Sequence, residues 1–212
     1  MSPGGGPIVS VGGYALTEIR AYLLEDRKIK TEHVVETAFT MLEYYAAEEK
    51  AGRMNRTDAQ EAAKKVATTL RYGGNEYFWI ETMNGIMVAH GVDPKLVGRD
   101  MKGDLDGNGK PYTLDLIAAA KKGGGFVDYA FPRPGETVPA PKISYVKPFP
   151  TWDWFVASGI YVDDVDAIFM EVLTVIGGVA LVILLLVVGV SFVIGRGITR
   201  PLSYIATNMQ RL

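Results

Sequence analysis

Cysteine is absent from the 212 residues of the sequence, and histidine occurs only as His33 and His90. The absence of thiols excludes a disulfide framework, a cysteine-ligated zinc or iron–sulfur site and a cysteine nucleophile. Two histidines are also too few for a metal centre built from several imidazoles. The sequence therefore predicts neither a metal nor another cofactor.

An excess of either charge sign is lacking as well, because 22 Lys and Arg residues stand against 24 Asp and Glu residues. A chain without a basic excess is a poor match for nucleic acid, so we expect no nucleic-acid partner. Motifs for catalysis are missing too. Ser158 stands in ASGIY rather than in a G-x-S-x-G elbow, and no HExxH occurs. We therefore predict that the protein is not an enzyme.

Charged residues are absent from residues 172–195, a run of 24 residues. A bilayer core of about 30 Å needs about 20 apolar residues in a helix. The alternative is a buried core helix, but such helices rarely run this long without a polar face. Acidic residues precede the run and arginines follow it, which predicts a cytoplasmic tail and an outer domain before residue 172. These flanking residues are Asp163, Asp164, Asp166 and Glu171, and then Arg196, Arg200 and Arg211.

Residues 1–20 contain no adequate export signal, because the apolar stretch at 8–16 is short and rich in glycine. An outer domain of this size needs such a signal or a first membrane helix. We therefore expect that the sequence is a fragment or starts late, and that residues 1–20 are a remnant before or at a missing first membrane helix.

Residues 21–166 have the pattern of an α+β domain. Helical spacing predicts a long N-terminal helix at 14–53, a second helix from 57 to about 71 and a short helix at 112–122. Strand formers bounded by turn residues predict five strands in a mostly antiparallel sheet. The predicted strands are 76–82, 86–90, 126–131, 142–149 and 152–162.

The first predicted strand is apolar on both faces, since Tyr77 and Trp79 alternate with Phe78 and Ile80. Both faces of the sheet are therefore covered. We expect the long helix on one face and the excursion 91–122 on the other. A small-molecule pocket then fits between the sheet and the excursion.

Six sequence blocks in this order resemble the single-Cache (type 2) extracytoplasmic sensor domain, a PAS-like fold. They are LRYGGNEYFWI, NGIMVAHGVDPKLVGRDM, DGNGKPY, GGGFVDYAFPRPG, PKISYV and WDWFVASGIYVDD. The resemblance covers roughly residues 23–166, with one departure at Gly91, where the family is expected to have proline. The run GITRPL at 197–202 resembles the start of a HAMP signalling helix, so residues 196–212 are predicted to be a truncated HAMP segment. Apolar residues at 198, 202, 205, 209 and 212 repeat in steps of four and three, as in a coiled-coil seam.

The resemblance implies a methyl-accepting chemotaxis protein of the bacterial inner membrane with a periplasmic sensor domain. Its implied ligand is a small carboxylate of two to four carbons, of the acetate, propionate, pyruvate or lactate class. A homodimer and cytoplasmic signalling partners, reached through an output module beyond residue 212, are implied as well. The alternatives are the sensor of a histidine kinase or cyclase, and a module that senses a partner protein.

A carboxylate ligand needs cationic and neutral hydrogen-bond donors in a mostly apolar pocket. Arg71 stands where the second helix meets the sheet, although a surface arginine at a helix end is the alternative. The family resemblance adds a strand-end histidine and a lysine in the pattern PKxSY. His90, if buried beside a carboxylate, would be protonated, and ligand affinity would fall as pH rises. The candidate ligand-binding residues are Arg71, Tyr72, Tyr77, Trp79, His90, Lys142 and Tyr145.

Two local readings stay open. Tyr145 is three residues from Lys142, so a regular strand sends the two side chains to opposite faces, and both line one pocket only if the strand is bulged or twisted. Asp104, Asp106, Asn108, Gly109 and Asp115 have EF-hand spacing. The stretch before them is a loop and Pro111 interrupts the pattern, so a polar turn is the preferred interpretation over calcium.

Overall fold

The structure is a computed structural model that describes residues 6–196 of the chain. It contains two compact units, Met1–Asp166 and Ala167–Leu212. Residues 1–5 of the predicted N-terminal remnant lie outside the described residues. So does the predicted HAMP segment, apart from Arg196.

Three helices belong to the first unit: α1 (Gly6–Lys50), α2 (Arg56–Thr69) and α3 (Tyr112–Lys121). The α1 helix begins eight residues before the predicted start. It ends just before Gly52, whose φ of 70° suits a glycine that terminates a helix. The N-cap of α2 is Asn55, whose side chain accepts a hydrogen bond of 2.9 Å from the backbone N–H of Asp58.

The sheet is antiparallel throughout, with the strand order β1-β2-β6-β5-β4 and with β3 paired to β2. All five predicted strands are present, which confirms the α+β prediction. The additional two-residue strand β1 forms because α2 ends before residue 71 and the following turn folds residues 71–72 back onto β2. The strands are β1 (Arg71–Tyr72), β2 (Glu76–Thr82), β3 (Met87–His90), β4 (Gly125–Pro132), β5 (Pro139–Phe149) and β6 (Trp154–Tyr161).

Both faces of the sheet are covered, as the two-sided apolar pattern of β2 predicts. On one face, Phe78 and Ile80 pack in a core with residues of α1 and α2, including Leu42. On the other face, Tyr77 and Trp79 pack with Leu116 and other residues of the excursion 91–122. The alternation along β2 thus separates a helix-facing core from an excursion-facing core, and the second one holds the candidate site.

Gly159 of β6 has no room for a side chain against the neighbouring strand β5. A Cβ added there would clash with Ser144 Oγ and would lie 2.7 Å from the Ile143 carbonyl oxygen and 3.0 Å from Lys142 Cε. Because the carbonyl belongs to the paired neighbouring strand, relief requires movement of the backbone. We expect Gly159→Ala to lower the free energy of unfolding by about 3 kcal/mol, measured by chemical denaturation. Gly103 has open space around it, so Gly103→Ala serves as the control, and equal effects of the two substitutions would contradict this prediction.

The helix α4 (Asp163–Ile194) contains one candidate membrane span, Ala167–Ile194, found in a search of residues 6–196. At 1.5 Å per residue its 28 residues reach about 42 Å, longer than a bilayer core of about 30 Å. None of its most apolar window is buried. The predicted span at 172–195 is therefore present as an apolar exposed helix, and the alternative of a buried core helix is not supported.

Candidate functional site

A small cavity lies on the excursion side of the sheet, where the sequence predicts a pocket. Strand β2 contributes three lining residues to this cavity, Tyr77, Trp79 and Glu81, because alternate residues of a strand share one face. The cavity volume is about 10 Å³, close to the space of one water molecule, so an organic acid enters only if the wall moves. The complete lining is Tyr77, Trp79, Glu81, Met87, His90, Leu96, Met101, Tyr112, Tyr129, Phe131 and Lys142.

The buried acidic and basic side chains of the described residues line this cavity. Among the residues whose side chains the structure describes, only three Asp, Glu, Lys, Arg or His side chains are buried: Glu81, His90 and Lys142. All three line this cavity. An open groove between α1 and the turn at Pro150–Trp152 is larger, about 590 Å³, but none of its charged residues is buried. Charged groups are excluded from protein interiors unless they have a partner or a function, so the smaller cavity is the candidate site.

Lys142 places an ammonium group at one end of the cavity. Its Nζ donates a hydrogen bond of 3.0 Å to the Tyr77 hydroxyl. Four aromatic rings surround it, with centroids 4.3 to 5.6 Å from Nζ. In the described side chains no carboxylate oxygen lies within 4.0 Å of Nζ. Burial lowers the pKa of Lys142 to about 7, while the charge of Glu76 and the ring faces favour the ammonium form.

Tyr77 and His90 supply neutral donors beside this ammonium. Burial raises the pKa of Tyr77 well above its usual range, so the hydroxyl keeps its proton. The His90 ring lies 4.9 Å from the Tyr77 ring, centroid to centroid. Its Nδ1 accepts hydrogen bonds from the backbone N–H groups of Asp93, at 2.9 Å, and Val92, at 3.4 Å. The ring therefore carries its proton on Nε2.

The condition under which His90 would be protonated is not met. Burial, and next the nearby charge of Lys142, lower its pKa to about 4, against a smaller opposing effect of Asp93. His90 is therefore neutral near pH 7. His90 therefore gives no reason to expect that ligand affinity falls as pH rises near pH 7. It offers the ligand a neutral Nε2–H donor instead.

Four of the seven predicted site residues line the cavity: Tyr77, Trp79, His90 and Lys142. Arg71 is exposed, and its guanidinium donates to the carbonyl oxygens of Thr68, Leu70 and Gly91, so it ties the end of α2 to the end of β3. Its placement fits the alternative of a structural arginine at a helix end.

Tyr72 and Tyr145 pack against the helix-facing core instead. The Tyr72 hydroxyl hydrogen-bonds Ser158 Oγ at 2.8 Å. Strand β5 pairs in unbroken register with β4 and β6, so the bulge that would bring Tyr145 to the face of Lys142 is absent. The structure thus brings neither residue to the cavity.

Sequence reasoning missed seven lining residues. Glu81 was predictable as a lining residue, because it follows Tyr77 and Trp79 in the alternation along β2 and therefore shares their face of the sheet. The others depend on how β3, the excursion and β4 come together over this face of the sheet, which no local pattern records. They are Met87, Leu96, Met101, Tyr112, Tyr129 and Phe131.

The acidic loop with EF-hand spacing forms the predicted polar turn. The Asp106 carboxylate accepts hydrogen bonds of 2.8 Å from the backbone N–H groups of Asn108 and Lys110. Asp104 is engaged by the Arg99 guanidinium at 3.1 Å. Within the described residues, no group of three or more His, Cys, Asp or Glu side chains is placed to hold a metal ion.

The family model described as Single Cache domain 2 matches residues 23–174 of the chain. The methyl-accepting chemotaxis protein McpP of Pseudomonas putida is 38% identical over 196 residues, which cover 92% of this chain and 36% of that protein. The methyl-accepting chemotaxis protein CtpM of Pseudomonas aeruginosa is 27% identical over 220 residues, covering 97% and 39%. The sensor histidine kinase MctS of Rhizobium johnstonii is 33% identical over 119 residues, covering 56% and 26%. The chain thus spans less than two fifths of the length of each relative.

Two solved structures share the fold at 40% sequence identity. One is a periplasmic sensor domain of a chemotaxis protein, with a TM-score of 0.64, covering 66% of this chain and 97% of that one. The other was reported as the structural basis for carboxylic acid recognition by a Cache chemosensory domain, with a TM-score of 0.65, covering 67% and 97%. These similarities confirm the predicted fold and the likeness to chemotaxis sensor domains.

Proposed function

The chain belongs to the single Cache domain 2 family, and we propose on that premise that it is the sensor part of a chemoreceptor for small carboxylates. One observation carries the proposal: the three buried side chains that are able to carry a charge, Glu81, His90 and Lys142, line one cavity, and no carboxylate oxygen of the described side chains lies within 4.0 Å of Lys142 Nζ. A ligand carboxylate would accept hydrogen bonds from Lys142 Nζ, the Tyr77 hydroxyl and His90 Nε2–H. Carboxylic acid recognition by a Cache neighbour 40% identical to this chain supports the same chemistry.

The small cavity supports a ligand of two to four carbons, of the acetate, propionate, pyruvate or lactate class. Its wall includes Met87, Met101 and Leu96, whose flexible side chains can move to admit a molecule of this size. A longer acid would require the excursion to separate from the sheet.

We propose that the sensor domain lies in the periplasm of a bacterium and that α4 crosses the inner membrane. The segment after α4 would then be cytoplasmic and would begin a HAMP helix. A ligand shifts the signalling equilibrium only by its different affinity for two states of the domain. Homodimerisation is expected, because HAMP helices need partners to bury their apolar seam.

A second candidate function is the sensor of a histidine kinase. The identity of 33% to a sensor histidine kinase over 56% of the chain favours it. Both candidates use the same ligand cavity, so they differ in the output module joined after residue 212 and not in what is bound outside.

Thermal unfolding of the whole chain in detergent micelles, followed by tryptophan fluorescence, tests the carboxylate proposal. Acetate, propionate, pyruvate and lactate are the probes, and ethylamine and glycine are the controls. At 100 times its dissociation constant a ligand adds about 2.7 kcal/mol of stability, which gives a clear upward shift of the midpoint. A folded sample that shifts with none of the four acids would overturn the proposal.

A further inference from the structure

Glu81 is a buried carboxyl group with an unused oxygen in the wall of the cavity. Its side chain is 1% exposed. Its Oε2 is one of two buried side-chain atoms without a hydrogen-bond partner in the described part of the chain, and the other, Thr113 Oγ1, belongs to a residue that does not line the cavity. A buried polar atom without a partner is costly and calls for an explanation.

The Glu81 carboxyl group is neutral near pH 7. Burial raises its pKa to about 8, hydrogen bonding to the Trp79 side chain opposes this rise, and the charge of Asp104 adds to it. The other titratable groups nearby are Tyr112 and Tyr129, both of which keep their protons because burial raises their pKa values. A protonated carboxyl group offers an O–H donor that a carboxylate lacks.

Trp79 separates this donor from the ammonium of Lys142. Along β2 the residues facing the cavity follow in the order Tyr77, Trp79, Glu81. Lys142 Nζ lies 5.1 Å from the centroid of the Trp79 ring, and the Trp79 side chain interacts with the Glu81 carboxyl group. Trp79 thus interacts with both the cation and the acid. A short carboxylate that pairs with Lys142 and lies along this indole would extend toward Glu81.

We propose that Glu81 is a specificity-determining residue, whose O–H donates a hydrogen bond to an oxo or hydroxyl oxygen beside the ligand carboxylate. The inference rests on the proposed carboxylate-sensing function and narrows it. The protein favours 2-oxo and 2-hydroxy acids, such as pyruvate and lactate, over propionate, which has the same number of carbons. An unsubstituted acid leaves the Glu81 O–H without a partner, and sites built to hydrogen-bond a ligand group discriminate strongly against analogues that lack it.

Isothermal titration calorimetry of the whole chain in detergent at pH 7 tests the inference with propionate, lactate and pyruvate. The wild type is expected to bind pyruvate or lactate at least tenfold more tightly than propionate. Glu81→Met removes the donor at nearly constant volume, so the ratio of affinities should fall to about one while propionate affinity changes less than threefold. Glu81→Gln keeps an N–H donor and should retain the preference. Thr113→Val, at the other unpartnered atom, is the control and should leave the ratio unchanged.

A measurement at pH 9 tests the same inference without a substitution at Glu81. The wild-type ratio should fall there, because Glu81 loses the proton that it donates, whereas the Glu81→Gln ratio should not. Any effect of Lys142 cancels, since both ligands pair with it. If the wild type at pH 7 binds neither pyruvate nor lactate more tightly than propionate, or if the ratio is unchanged in a folded Glu81→Met variant, the role of Glu81 alone is overturned. Failure of all three acids, and of acetate in the thermal unfolding test, to bind the wild type would overturn the proposed function and this inference with it.

Discussion

Lys142→Met is expected to weaken carboxylate binding at least 100-fold without lowering the stability of the ligand-free chain. The substitution removes the cation of the cavity and one charge-assisted hydrogen bond, each of which matters more in a buried site than at a surface. Calorimetric titration with acetate and pyruvate gives the affinity, and thermal unfolding without ligand gives the stability.

The expectation that Lys142→Met does not lower the stability of the ligand-free chain follows from the surroundings of Lys142. Its ammonium is buried among aromatic rings, and the described side chains place no carboxylate within 4.0 Å of it. A buried charge of this kind destabilises the folded state, and an apolar side chain of similar volume is often neutral or stabilising in its place. A residue kept for stability alone would therefore not be a lysine here.

Lys147→Met is the matched control. Lys147 lies on the same strand, on the opposite face, and pairs with Glu36 of α1 at 2.7 Å. We expect its substitution to leave carboxylate affinity within twofold of the wild type. Retention of full affinity by Lys142→Met, or an equal loss in both variants, would remove Lys142 from the site.

The fold was predictable because its signals are local. Alternating residues identify β2, and they also show that Tyr77 and Trp79 share a face. Which covering element that face meets depends on the path of the whole chain. The sequence therefore placed a pocket between sheet and excursion, but it gave no means to list Leu96, Met101 or Tyr112 as its wall.

The errors in site prediction have a different origin. Arg71 has the right chemistry to bind a carboxylate. Its guanidinium N–H groups instead donate hydrogen bonds to three backbone carbonyl groups, including that of Gly91. Gly91 is also the departure from the family pattern. Its N–H donates to the Phe78 carbonyl oxygen at 2.9 Å, a bond that the expected proline is unable to make. The carbonyl groups of Thr68 and Leu70 are local, which is why a structural arginine at a helix end was already an alternative, whereas the contact with Gly91 depends on the tertiary fold and leaves no mark in the local sequence.

Carboxylate affinity is expected to fall as pH rises above about 7, by about tenfold per pH unit, because only the ammonium form of Lys142 pairs with the ligand. Below pH 7 affinity should be flat down to the range in which the ligand itself is protonated, since His90, whose pKa burial lowers to about 4, stays neutral there. Titration of Glu81→Gln with acetate from pH 6 to 9 isolates the Lys142 contribution. Calorimetry in buffers of different ionisation enthalpy should show the uptake of about one proton per ligand at pH 8.

The stability of the ligand-free chain separates this effect from alkaline unfolding, because the two depend on pH with opposite signs. Burial lowers the pKa of Lys142 in the folded state, so between about pH 7 and 10 the unfolded chain binds more protons at this group, and its contribution to stability rises with pH. Glu81, whose pKa burial raises to about 8, opposes this trend only up to about pH 8. Loss of affinity above pH 8 in a Glu81→Gln chain that stays folded therefore identifies titration of Lys142. A flat affinity profile from pH 7 to 9 would mean that the surrounding rings hold the ammonium protonated throughout.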